Sequence, residues 1–88
     1  GFHLDNAILS DRGTLHRKGA PETFDAAGFV HLVGRLKTED GVVFPLFDRS
    51  RDQSIAGAGA VRPDTQTILV EGNYLMLDTA PWQKLAPL

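Results

Sequence analysis

Thr67-Ile68-Leu69-Val70 runs without interruption into Glu71-Gly72-Asn73. No other stretch limits the fold so strongly. Its aliphatic residues show no alternation of polar and apolar positions, so neither face of a strand here is suited to water. A strand of this kind belongs in the middle of a parallel sheet covered by helices on both faces. Open sheets of that type take ligands at the carboxyl ends of their strands, which is where Glu71 falls. The alternative is a solvated loop acid just past a core strand. The expected class is therefore α/β.

The length of 88 residues allows one domain. A chain this short buries about 60–65% of its unfolded surface. Both ends read as cut: Gly1-Phe2-His3-Leu4 opens on apolar residues with no cap, and Leu85-Ala86-Pro87-Leu88 closes without a polar tail. A parallel sheet needs several βα units, so the expectation is an internal segment of a larger α/β domain. A net charge of −2 gives no reason to expect nucleic acid or an anionic membrane as partner. No apolar run approaches the length of a membrane span. The absence of cysteine excludes disulfides and thiolate metal sites, and fits a cytoplasmic location.

Along the chain, Asp5 can cap a short helix over Asn6 to Arg12, ended by Gly13. Arg17-Lys18-Gly19-Ala20-Pro21 places two cations before a bent, fixed backbone. Such cations suit an anionic substrate or a transferred phosphoryl group when they line a cleft, and are a solvated pair when they do not. Asp25 caps a helix over Ala26 to Lys37, whose core face is Phe29, Leu32, Val33 and Leu36. Val42 to Phe47 reads as an edge strand, because Pro45 cannot donate to a ladder on both sides. Asp48-Arg49-Ser50-Arg51-Asp52 is a charged loop that could present Arg49 and Asp52 to a ligand. The glycine-rich run Ser54 to Val61 reads as a hairpin or bend. Its Gly57-x-Gly59 lacks the further residues of a phosphate loop. Pro81 fits the first turn of a last helix reaching Ala86, capped by Asp78 or Thr79, with Trp82 as its packing anchor. His3, Asp5 and His16 match no strong metal-ligand spacing.

The order of four pieces resembles a known family. Gly1-Phe2-His3, Arg17-Lys18-Gly19-Ala20-Pro21-Glu22-Thr23-Phe24-Asp25, Pro45-Leu46-Phe47-Asp48-Arg49 and Ile68-Leu69-Val70-Glu71-Gly72-Asn73-Tyr74-Leu75 together look like the central part of the uridine kinase, phosphoribulokinase and bacterial pantothenate kinase family. The likeness is greatest to the branch labelled fructose-transport-associated or nucleoside/nucleotide kinases. These are P-loop kinases that phosphorylate small molecules. The resemblance implies a three-layer P-loop NTPase fold with a parallel central sheet, plus a β-hairpin or extended lid-like segment. It implies that residues 1–88 are the central segment of one kinase domain, without the N-terminal phosphate loop and the C-terminal lid.

By the same resemblance, the cofactors are ATP and Mg²⁺ and the partner is a small-molecule acceptor; oligomeric state stays open. Glu71 matches the acid that lies near magnesium and the nucleotide phosphates. Lys18 and Gly19 match the loop that walls the acceptor pocket, with Arg17 beside them. Phe47 stands where relatives often carry a tyrosine. Arg49 and Asp52 occupy a substrate-side region in which residue types differ. Phe2 and His3 follow the position of the expected general-base Asp, which would precede Gly1. The competing expectation is a non-catalytic kinase-like binding or regulatory module.

Overall fold

The computed structural model describes residues Gly1–Leu88. Its regular elements are α1 (Asn6–Asp11), α2 (Ala26–Leu36), β1 (Val43–Asp48) and β2 (Gln53–Ala60), with single 3₁₀ turns at Leu15–Arg17, Pro21–Thr23 and Trp82–Leu85. Both helices begin where a carboxylate takes an orphan backbone N–H, as the sequence predicts. Ala7 donates to the Asp5 carboxylate at 2.9 Å and Gly28 to that of Asp25 at 3.0 Å. The apolar stripe of α2 (Phe29, Leu32, Val33, Leu36) is half-buried. It faces a cleft of about 730 Å³ shared with Phe2, Ile68 and Val70. Full burial is confined to Leu9, Ala26, Val42, Trp82 and the hydroxyl-bearing Thr23.

β1 and β2 form the only sheet, a two-stranded antiparallel hairpin. The charged segment Arg49–Asp52 is its turn, and the glycine-rich run is its second arm. That run was expected to form a hairpin or bend; it belongs to the hairpin, as a strand with an irregularity. Phe44 pairs with Gly59 and Leu46 with Ile55, so Ala56, Gly57 and Ala58 all stand opposite Pro45. Proline has no N–H to offer the ladder, and the extra residues take up the missing register. Gly59 is fixed by its partner: the Phe44 ring lies where a Cβ would project. An aromatic ring covering a cross-strand glycine restores the apolar contact that the glycine lacks.

The parallel central sheet expected of the larger domain is not seen within residues 1–88, and Thr67–Val70, expected as a strand, is not one. This run has no regular secondary structure, and Leu69 is 92% exposed. A strand is defined by its neighbour's hydrogen bonds, and β1 and β2 pair only with each other. Ile68 and Val70 border the cleft beside α2 instead. The last helix is shortened to the 3₁₀ turn Trp82–Leu85, with Pro81 at its N-cap position and no side-chain cap from Asp78 or Thr79. Trp82 does anchor it, packing against Phe29 and Tyr74 with ring centroids 6.4 and 6.0 Å apart.

Candidate functional site

Three segments distant in sequence converge on one polar cluster: the N-terminal stretch, the loop after α1, and the hairpin turn. The loop is built from its sequence. Gly19 has φ +104°, a conformation open to glycine. Its N–H donates at 2.9 Å to the hydroxyl of Thr23, which in turn donates at 2.7 Å to the Ala20 carbonyl. Thr23 is fully buried, so this small polar knot holds the loop from inside. It leaves Lys18 directed at the hairpin turn.

The Lys18 ammonium donates to Asn6 Oδ1 at 2.8 Å and to the Asp52 backbone carbonyl at 2.6 Å. It also pairs with the Asp52 carboxylate at 3.1 Å and lies 5.4 Å from the centroid of the Phe47 ring. Asn6 Nδ2 donates to the same Asp52 carbonyl at 3.2 Å. Asp52 sits at φ +52°, where a non-glycine residue is uncommon, and Lys18 and Asn6 both grip its carbonyl there.

His3 is the second member of the cluster. Its ring stacks between Phe24 and Phe47, with both centroid separations 4.5 Å. Ser54 on β2 donates to the His3 carbonyl at 3.2 Å, tying this segment to the hairpin. His3 Nδ1 is buried and has no hydrogen-bond partner. Desolvation holds the imidazole below its ordinary pKa; Lys18 adds to this, and Asp52 opposes it. Loss of water penalises the cationic form, so His3 favours the neutral state.

The other predicted residues lie elsewhere. Phe2 is adjacent to His3 but stacks on Phe29 at 5.2 Å and lines the apolar cleft, as alternation along an extended segment requires. Arg17 pairs with Glu22 at 2.9 Å on the surface. Arg49 is exposed in the turn and forms no ion pair. Glu71 is exposed on the border of the cleft. No three His, Cys, Asp or Glu side chains gather to hold a metal ion. A second apolar cleft of about 610 Å³ lies between α2 and the C-terminal turn, away from the polar cluster.

Two contributors escaped the reading of the sequence. Asn6 looked like a helix residue, yet it holds both Lys18 and Asp52. Tyr74 entered only as part of the stretch that carries the resemblance, yet its hydroxyl donates at 2.8 Å to the Gly19 carbonyl and its ring meets Phe24 at 6.0 Å. Tyr74 follows Glu71 by three residues, so this bond links the acidic stretch to the Lys18 loop. The only sequence signal for either was a hydrogen-bonding group next to a predicted element.

No protein-family model matches the chain. A solved structure described as a "putative fructose transport system kinase" from Silicibacter sp. TM1040 superposes on 98% of the chain and 42% of its own length, with a TM-score of 0.92 and 52% identity. The ATP-dependent kinase-like protein notR' of Aspergillus versicolor is 36% identical over all of the chain and 56% of its own length. The pantothenate kinase of Mycolicibacterium vanbaalenii is 30% identical over 92% of the chain and 26% of its own length. The chain thus spans between about a quarter and little more than half of these relatives.

Proposed function

The chain belongs to the small-molecule kinase family of the uridine and bacterial pantothenate kinases, and on that premise we propose that the intact protein transfers the terminal phosphoryl group of ATP to a hydroxyl of a small acceptor. The juxtaposition of His3, Lys18, Phe47 and Asp52 from three separate segments carries this reading. Residues 1–88 would form the acceptor side of one kinase domain, with the phosphate loop before them and the lid after them. His3 and Phe47 would present ring surface and one imidazole nitrogen to the acceptor, while Lys18 and Asp52 hold the hairpin turn beside it. Sugars, nucleosides and pantothenate-like compounds are the candidate acceptors.

Phosphoryl transfer has little covalent chemistry for the protein to perform; positioning and charge stabilisation provide most of the catalysis. Magnesium, when bound, supplies neutralisation of phosphate charge. Glu71 offers it one carboxylate, and this suits an ion that keeps several waters and takes its other ligands from phosphates. A Glu71→Gln change is expected to lower turnover about tenfold or more, the size of effect seen on removing an outer-shell metal partner, with a smaller effect on acceptor affinity. Unchanged turnover would remove Glu71 from that role.

The direct test is ATP consumption by the intact protein against a panel of small hydroxyl compounds. Acceptor-dependent ADP release supports the kinase reading. Acceptor binding without ADP release would instead identify a non-catalytic binding module.

A further inference from the structure

We infer that the acceptor side of this site carries no free cation at Lys18, and that it therefore selects an uncharged polyhydroxyl acceptor over one bearing a carboxylate. This inference rests on the kinase reading and deepens it. An ammonium group has three N–H donors and no acceptor. In Lys18 two of these are used by Asn6 Oδ1 at 2.8 Å and the Asp52 carbonyl at 2.6 Å, and the Asp52 carboxylate lies 3.1 Å away as its ion-pair partner. The Phe47 ring covers a further side of the group. Its charge is paired with the Asp52 carboxylate, and only 17% of its side chain is exposed.

The neighbouring groups do not replace it. Arg17 is paired with Glu22. His3 lies between two phenylalanines and favours the neutral imidazole, which can exchange a hydrogen bond with a hydroxyl but offers a carboxylate no charge. Of the two arginines of the turn, Arg51 is paired with Asp48 at 3.4 Å and Arg49 is exposed, where a single charge attracts an anion weakly. Lys18 is in this view a positioning residue: it fixes the hairpin turn through Asp52 and Asn6, and the acceptor meets the wall that results.

The test compares fructose, uridine and pantothenate as ligands and acceptors of the intact protein. Calorimetry gives affinity, ADP release gives kcat and KM, and both are repeated across a range of NaCl concentrations. Fructose or uridine is expected to outrank pantothenate, with little salt dependence. Asp52→Asn removes the carboxylate paired with Lys18 and uncovers its charge. It should narrow the preference for neutral acceptors about tenfold, the order expected for one unit charge near contact on a half-exposed surface. Its melting curve reports whether it folds, and the ranking in the unaltered protein stands as a test without it. Pantothenate ranked first, an unchanged ratio in folded Asp52→Asn, or a pantothenate KM that rises selectively in Arg49→Gln would each overturn the inference. Turnover of pantothenate would leave the kinase reading intact. Selective binding of the neutral compounds without ADP release would overturn the kinase reading and keep the charge argument. Failure of all three to bind would remove both.

Discussion

Replacing Lys18 by Met keeps the stem that packs near Phe47 and removes only the ammonium. The loss can be worked from its contacts. Only 17% of the Lys18 side chain is exposed, against 69% for Asp52. The carboxylate pair therefore sits near the value of surface ion pairs, about 0–1 kcal/mol. The bonds to Asn6 Oδ1 and to the Asp52 carbonyl are charge-assisted, a class that contributes about 1.5–3 kcal/mol each when shielded. Here water recovers much of that, because Asp52 lies on the surface. A total loss of about 1–2 kcal/mol follows once the exposed partners are discounted. In a domain of 150–250 residues this lowers Tm by about 2–4 °C for each kcal/mol. The assay is thermal unfolding of the intact protein, with tryptic cleavage after Arg49 and Arg51 as a local probe of the turn. Lys18→Arg should not restore stability, since a planar guanidinium cannot direct three donors from one atom. The cycle with Asp52→Asn should show coupling. A Lys18→Met protein with unchanged Tm and unchanged cleavage in the turn would refute the clamp.

Protonation of His3 should weaken the fold. Its pKa in the folded state lies below the unfolded value, so the folded state binds the proton less well. Stability is complete above the ordinary imidazole value of 6.5 and declines as pH falls from there through the folded-state value. Tm should drop over that window more in the parent than in His3→Phe; parallel curves would remove His3 from the effect. Gly59→Val places a side chain into the Phe44 ring, and overpacking of this type costs about 1–3 kcal/mol. Hydrogen exchange of β1 and β2 should accelerate ahead of α2; protection unchanged in the hairpin would contradict the contact. Asp25→Ala removes the cap on Gly28 N and should cost about 0.5–2 kcal/mol by chemical denaturation, with Asp25→Asn recovering most of it. A fully stable Asp25→Ala would show the cap to be dispensable.

What the sequence made legible was local. Asp5 and Asp25 are oxygen donors placed directly before apolar helical spacing, and each cap involves residues two or three positions apart. Pro45 marked a compromised ladder because its chemistry is its own. The same reading failed where the answer depended on a partner far away. Thr67–Val70 has strand composition, but composition cannot supply the neighbouring strand, and none is present. The glycine-rich run read only as a hairpin or bend, with no strand assigned to it, because glycine disfavours strands in general. Its strand depends on Phe44, fifteen positions earlier, lying over Gly59. Asn6 and Tyr74 were missed for the same reason: their partners lie 46 and 55 residues away.

The site itself shows how local and distant information combine. The Lys18 loop is made by short-range bonds among Gly19, Ala20 and Thr23, so its bend was visible in sequence. Its direction is set at longer range by Asp52, and its far side is held by Tyr74 through the Gly19 carbonyl. Neighbouring residues 18 and 19 thus connect the hairpin turn to the stretch that carries Glu71. The unpaired Thr67–Val70 run does not leave Glu71 unattached, because three residues later the chain is bonded to the loop that bears the clamp. The proposed division of labour follows from that connection: an acid near the phosphates and an uncharged acceptor wall are parts of one surface, coupled through the Lys18–Gly19 peptide. Tyr74→Phe tests the coupling, since it breaks the bond to Gly19 while retaining the rings around Phe24 and Trp82. A rise in acceptor KM in that variant, with ATP affinity nearly constant, is the expected outcome; an unchanged acceptor KM would show that the two stretches act separately.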